Sequence, residues 1–127
     1  MVKTLNKVIG VVLLVVGLWG LAEPNLLGMH LTPVHNVIHL LTAAVALYMG
    51  FVASVSAART FSIAFGAVYL LLGVLGFVAP GLVTSVIGHP PVGAGELTPD
   101  NVVHVLLGGA FLAVGLLQSR ALAPRAA

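Results

Sequence analysis

No cysteine occurs in this chain of 127 residues. That excludes disulfides, a thiolate nucleophile and any metal site built on cysteine sulfur. Charge is nearly as scarce. Lys, Arg, Asp and Glu together make up 6% of the residues, against about 25% in an ordinary soluble domain. A surface so poor in charge cannot face water on all sides, so the chain reads as an integral membrane protein whose first partner is the lipid bilayer. Its basic isoelectric point comes from dispersed Lys and Arg without a basic patch, which excludes a nucleic-acid partner. Aromatic residues are few, and Trp19, Tyr48 and Tyr69 are too scattered for a binding stripe; they read as packing or interface residues. No nucleophile motif, phosphate loop or nucleotide site is present, so no catalytic activity is expected. No charged residue lies in the middle of an apolar run, which argues against an ion or proton path.

What the chain has is long apolar runs. A membrane-spanning helix needs about 20 apolar residues, and four segments qualify: Leu5 to Ala22, Pro33 to Val55, Phe61 to Ala79 and Pro99 to Gln118. Pro24 and Pro80 close the first and third. Thr32-Pro33 and Thr98-Pro99 open the second and fourth, with threonine as the cap and proline at the first helical position. "MVKTLNK" before an apolar run has the look of a signal peptide, but no small-residue cleavage site follows and the run ends in "AEPN". With four spans, Lys3, Lys7, Arg59, Arg120 and Arg125 fall on one side and Glu23, Glu96 and Asp100 on the other. The positive side should be cytoplasmic. Multi-pass insertion in the cytoplasmic (inner) membrane, with both termini cytoplasmic, is therefore expected.

The two halves resemble each other. "GVVLLVVGLWGLAEP" from Gly10 matches "GAVYLLLGVLGFVAP" from Gly66, and "HNVIHLLTAAVAL" matches "DNVVHVLLGGAFL". The expected fold is all-α: a single domain over 1–127, a four-helix bundle built from two parallel two-helix repeats, about 5–58 and 61–120. The repeats should be related by a pseudo-two-fold axis along the membrane normal. Gly10 and Gly17, and likewise Gly66 and Gly73, are seven apart and share a helical stripe. Small residues let membrane helices approach closely, so these four, with Gly108 and Gly109, are expected at helix contacts. One offset breaks the symmetry: His39 is six residues after Pro33 and His104 five after Pro99. A single residue turns a helix by about 100°. Treating Val34 as an insertion restores the alignment of everything after it.

The polar residues inside the greasy runs are the candidates for function. His35 and His39 are four apart on the second span, and Asp100 and His104 are four apart on the fourth. Each pair shares a helix face. Asn36 and Asn101 sit beside them. Convergence of all six near the outer membrane boundary is expected, because ionisable groups turn away from lipid. One reading is an interhelical hydrogen-bond network, at about 0.6 to 2 kcal/mol per bond. A second is a metal ion held by His35, His39, Asp100 and His104, since imidazole and carboxylate suit Zn, Cu or Fe. A third is a haem with His39 and His104 as its axial ligands, or a chlorophyll-type pigment on one of them; the close-packing glycines argue against a macrocycle inside the bundle. The loop residues His30 and His89 read as solvated or interfacial.

The stretch from Pro33 through His35, Asn36 and His39, after an outward helix that ends at a proline, resembles a family of small four-span bacterial membrane proteins of unknown function carrying a Pro-x-His-Asn-x-x-His motif. Asp100, Asn101 and His104 form a degraded second copy, and Ala43 stands where a glycine is usual. The resemblance implies the four-span fold and no reaction. The leading functional expectation is a structural or accessory subunit without a cofactor, packed with other membrane proteins or with itself. The alternative is a metal-, haem- or pigment-binding protein using the histidine cluster.

Overall fold

The computed structural model describes residues 1–90 and 92–122, the last four of these by backbone alone. Among the described residues the chain is all-helical: α1 (Val2–Gly20), α2 (Pro33–Phe51), α3 (Val55–Val78), α4 (Pro80–Ile87) and α5 (Pro99–Leu122), with a short 3-10 turn at Leu26–Gly28. Four helices are long and apolar enough to cross a membrane, their spans running over 19 to 24 residues. At 1.5 Å per residue these cover about 28 to 36 Å, which matches a hydrocarbon core of about 30 Å.

Threonine and proline open α2 and α5 in the same manner. The Thr32 hydroxyl accepts the His35 N–H at 3.2 Å, and the Thr98 hydroxyl accepts the Asn101 N–H at 3.3 Å. Pro33 and Pro99 follow, at positions where no N–H is needed. α1 lies chiefly against α2, and α3 against α5. Glycine is what permits this closeness. A Cβ on Gly10 would sit 2.8 Å from Leu47, and one on Gly17 2.8 Å from Leu40. In the other hairpin a Cβ on Gly66 would sit 2.5 Å from the Leu112 backbone nitrogen, and one on Gly73 2.8 Å from that of Val105. Gly20 seats the Asn36 amide, and Gly76 seats that of Asn101. Gly50 backs onto Lys7 as Gly115 backs onto Ile63. Each contact in the second hairpin lies 56 residues on in its first helix and 65 on in its second.

The two hairpins meet over a core of Ile9, Leu13, Ala43, Ala46, Phe61 and Phe111. Toward the end that carries Lys3 and Lys7 this core closes on a buried polar contact. The Ser62 hydroxyl donates to Asn6 Oδ1 at 2.9 Å, and the Asn6 amide donates to the Ala58 carbonyl at 3.2 Å. At the same end the Lys3 ammonium donates to the Phe51 carbonyl and Lys7 lies over the Phe51 ring. The acidic residues lie at the opposite end, where Asp100 opens α5 and Glu23 follows α1.

Four expectations are corrected. α3 starts at Val55, not Phe61, because the Ser54 hydroxyl accepts the Ala57 N–H at 3.1 Å and carries the helix out past the apolar run. α2 correspondingly ends at Phe51 rather than Val55. The segment after Pro80, read as loop, forms α4: Ala79 breaks the α3 backbone, Pro80 restarts a helix at its first position, and Gly88 ends it in the left-handed conformation at φ +72°. Gly109, expected at a helix contact, has nothing within 4 Å of where its Cβ would stand, whereas Gly108 meets the Leu70 backbone.

These contacts make a sharp contrast. Gly66→Ala drives a methyl into the Leu112 backbone, which no rotamer can relieve, and should destabilise the bundle by ~2 kcal/mol or more. Gly109→Ala should be silent. Thermal unfolding of both variants in detergent checks this. Equal melting temperatures would contradict the packing described.

Candidate functional site

His35 sits at the centre of a buried polar cluster between the hairpins. Its ring lies 4.2 Å from that of His39 and 5.5 Å from that of His104, centroid to centroid. α2 delivers His35 and His39 one turn apart on its inward face, and α5 delivers Asp100 and His104 likewise. All four are buried, as are Asn36 and Asn101. Exposed Val34 precedes the buried face of α2, which begins at His35, while that of α5 begins at Asp100 directly after Pro99. Val34 thus lies outside the buried face of α2, and His39 and His104 bring ring nitrogens within 4.8 Å of each other. His35, His39 and His104 each place a ring nitrogen within 4.8 Å of the others.

Hydrogen bonding fixes the state of His35. Its Nδ1 is 3.0 Å from the His30 carbonyl oxygen. A carbonyl only accepts, so Nδ1 carries the hydrogen. The lone pair of the neutral ring is then on Nε2, which is buried without a partner, as is His39 Nδ1. A ring N–H held by a backbone carbonyl, with the other nitrogen free, is the usual state of a histidine ready to ligate a metal. Buried polar atoms without partners are rare, because each forfeits its hydration.

Two loop residues expected to be solvated or interfacial adjoin this cluster, His89 largely buried and His30 partly exposed. His89 Nε2 lies 2.9 Å from His35 Nδ1 and 3.8 Å from Asp100 Oδ1, with its side chain only 11% exposed. The His30 backbone N–H donates to Asp100 Oδ2 at 3.0 Å, and its ring approaches the same oxygen at 3.6 Å. α4 delivers His89. The Thr32 hydroxyl donates to the Ile87 carbonyl at 2.6 Å, which pins the end of α4 to the start of α2 and sets His89 over His35. Burial holds the His89 imidazole below the ordinary histidine pKa, against the opposing pull of the Asp100 carboxylate. The bracket of Pro80 and Gly88 was the available signal for α4; nothing local pointed to His89. Tyr69, read as one of a scattered set, is buried with its ring 5.5 Å from that of His104.

Beside the three histidines opens a cavity of about 190 Å³, walled by Val12 and Val16 of α1 and Val103 and Leu107 of α5. Val12 and Val103 are exposed on the flank of the bundle, so its mouth opens sideways between α1 and α5. The chain matches no family model, no curated protein and no solved structure.

Proposed function

We propose that this chain is an integral membrane protein that binds a transition-metal ion through His35, His39 and His104. The observation that carries this reading is the pair of buried, partnerless ring nitrogens, His35 Nε2 and His39 Nδ1, beside a third imidazole. A structural hydrogen-bond network would use these atoms on one another. A metal ion uses their lone pairs instead. Imidazole-only ligation suits Zn, Cu(II) or Fe(II). Four-fold coordination by three protein ligands leaves one position open, and the apolar side cavity would let a small ligand reach it from the membrane. Bonds of about 2.1 Å in a tetrahedron bring ligand nitrogens to about 3.4 Å, so the rings would draw together on binding. A single ion fits better than a haem or pigment, because the His35 ring fills the space beside His39 and His104 that a macrocycle would need.

Elemental analysis and an absorption spectrum of the purified protein test this. At least one metal per chain without a Soret band is the expected result. A Soret or pigment band would overturn the ion in favour of a tetrapyrrole. Neither metal nor pigment would return the protein to the role of an accessory subunit.

We further infer that the fold is one helical hairpin used twice in parallel, in the cytoplasmic membrane with both termini inside. The matched glycine contacts support the repeat. The separation of Lys3, Lys7 and Arg59 from Glu23, Glu96 and Asp100 supports the orientation. Reporter fusions at Ala53 and Gly93 should then report opposite compartments, with Gly93 and the metal site outside. The same compartment from both would refute the orientation.

A further inference from the structure

A second group of ligand atoms adjoins the first and shares His35 with it. His35, His89 and Asp100 also place one ligand atom each within 4.8 Å of one another. Asp100 is 2% exposed, and its Oδ1, 3.8 Å from His89 Nε2, has no hydrogen-bond partner. Next to it lies a cavity of about 10 Å³ lined by His30, His89, Asp100 and Asn101, roughly the room for one water molecule. The two groups use opposite sides of one ring. Nδ1 of His35 faces His89, and Nε2 is the nitrogen left for His39 and His104.

From this juxtaposition we propose that His35 bridges two metal ions: an inner ion on Nε2 with His39 and His104, and an outer ion on Nδ1 with His89 and Asp100. The proposal rests on the inner site described above and adds a second site to it. The bridge has a definite proton balance. With only the inner ion bound, Nδ1 keeps its hydrogen and donates it to the His30 carbonyl. Binding of the outer ion requires Nδ1 to give up that proton to solvent, so the ring becomes an imidazolate coordinated at both nitrogens. Three consequences follow. The sites fill in order, inner first. The outer ion binds more weakly, because it must displace a proton. Its binding releases one proton. The arrangement also sets the outer site between the partly exposed His30 and the buried histidines.

The test is a titration of the full-length protein in detergent with Cu(II), followed by electron paramagnetic resonance. The first equivalent should give the signal of an isolated copper. The second should make that signal fall, because two Cu(II) ions joined by imidazolate couple antiferromagnetically. His89→Ala and Asp100→Asn should each bind one equivalent with the signal retained. A second equivalent that simply doubles the signal would overturn the bridge. So would saturation of the wild-type protein at one equivalent, or a coupled pair that survives in His89→Ala. These results leave the inner site standing. Loss of the inner site itself would show differently, as no first equivalent in the wild-type protein or an unchanged first equivalent in His104→Ala.

Discussion

Replacing His104 with alanine is expected to strip the protein of its inner metal, weakening affinity by ~100-fold or more, the upper end of what loss of an outer-shell partner alone does. His35 and His39 come from consecutive turns of α2, while His104 is the one imidazole of the trio supplied by α5. Without it only the two α2 nitrogens of the trio remain, and the cavity beside them is walled mainly by valine and leucine. The helices need not suffer. His104 is six per cent exposed and packs against Tyr69 and His35 through its ring faces, so an alanine there opens a hole and severs no helix cap. Metal content after gel filtration, with helix content followed by circular dichroism, separates ligand loss from unfolding. A folded His104→Ala protein that keeps its metal would contradict the assignment.

Chelation should have the second large effect. α2 packs on α1 and α5 on α3, so a metal held by His35, His39 and His104 ties one hairpin to the other. An ion that binds only the folded protein stabilises it by about 4 kcal/mol at a thousandfold excess over Kd. For a chain of this size that amounts to roughly 10 °C or more in melting temperature. A chelator should therefore lower the wild-type melting temperature by that much, and re-addition of metal should restore it. The His104→Ala protein should melt low and respond to neither treatment. A wild-type protein indifferent to chelator would mean that the histidines hold the bundle by themselves.

How far the sequence was legible depended on the range of the signal. Thr32-Pro33 and Thr98-Pro99 mark two helix starts because caps are local chemistry. Gly10, Gly17, Gly66 and Gly73 mark packing stripes because helical periodicity is local as well. The four-residue spacings of His35 with His39 and of Asp100 with His104 put each pair on one face for the same reason. The offset after Pro33 was ambiguous until the burial pattern set Val34 outside the buried face of α2. Ser54 escaped notice because "SVSAART" is not apolar, and hydropathy alone ends a span there. Asn6 was passed over because it stands among the flanking lysines, yet its partner Ser62 lies 56 residues on, the separation that also relates Gly10 to Gly66. His89 was out of reach of any local rule. Its place over His35 depends on α4 and on the Thr32 to Ile87 hydrogen bond, a contact between residues 55 apart. Gly109 misled because a glycine pair marks a stripe without saying which of the two faces the partner.

The most direct measurement of the central claim is X-ray absorption at the metal edge of the protein purified without chelator. Ligation by His35, His39 and His104 predicts a first shell of nitrogen and oxygen neighbours at about 2.0 to 2.1 Å for zinc, with outer-shell scattering from at least three imidazole rings. A first shell of oxygen alone, or scattering from fewer than three imidazole rings, would contradict it.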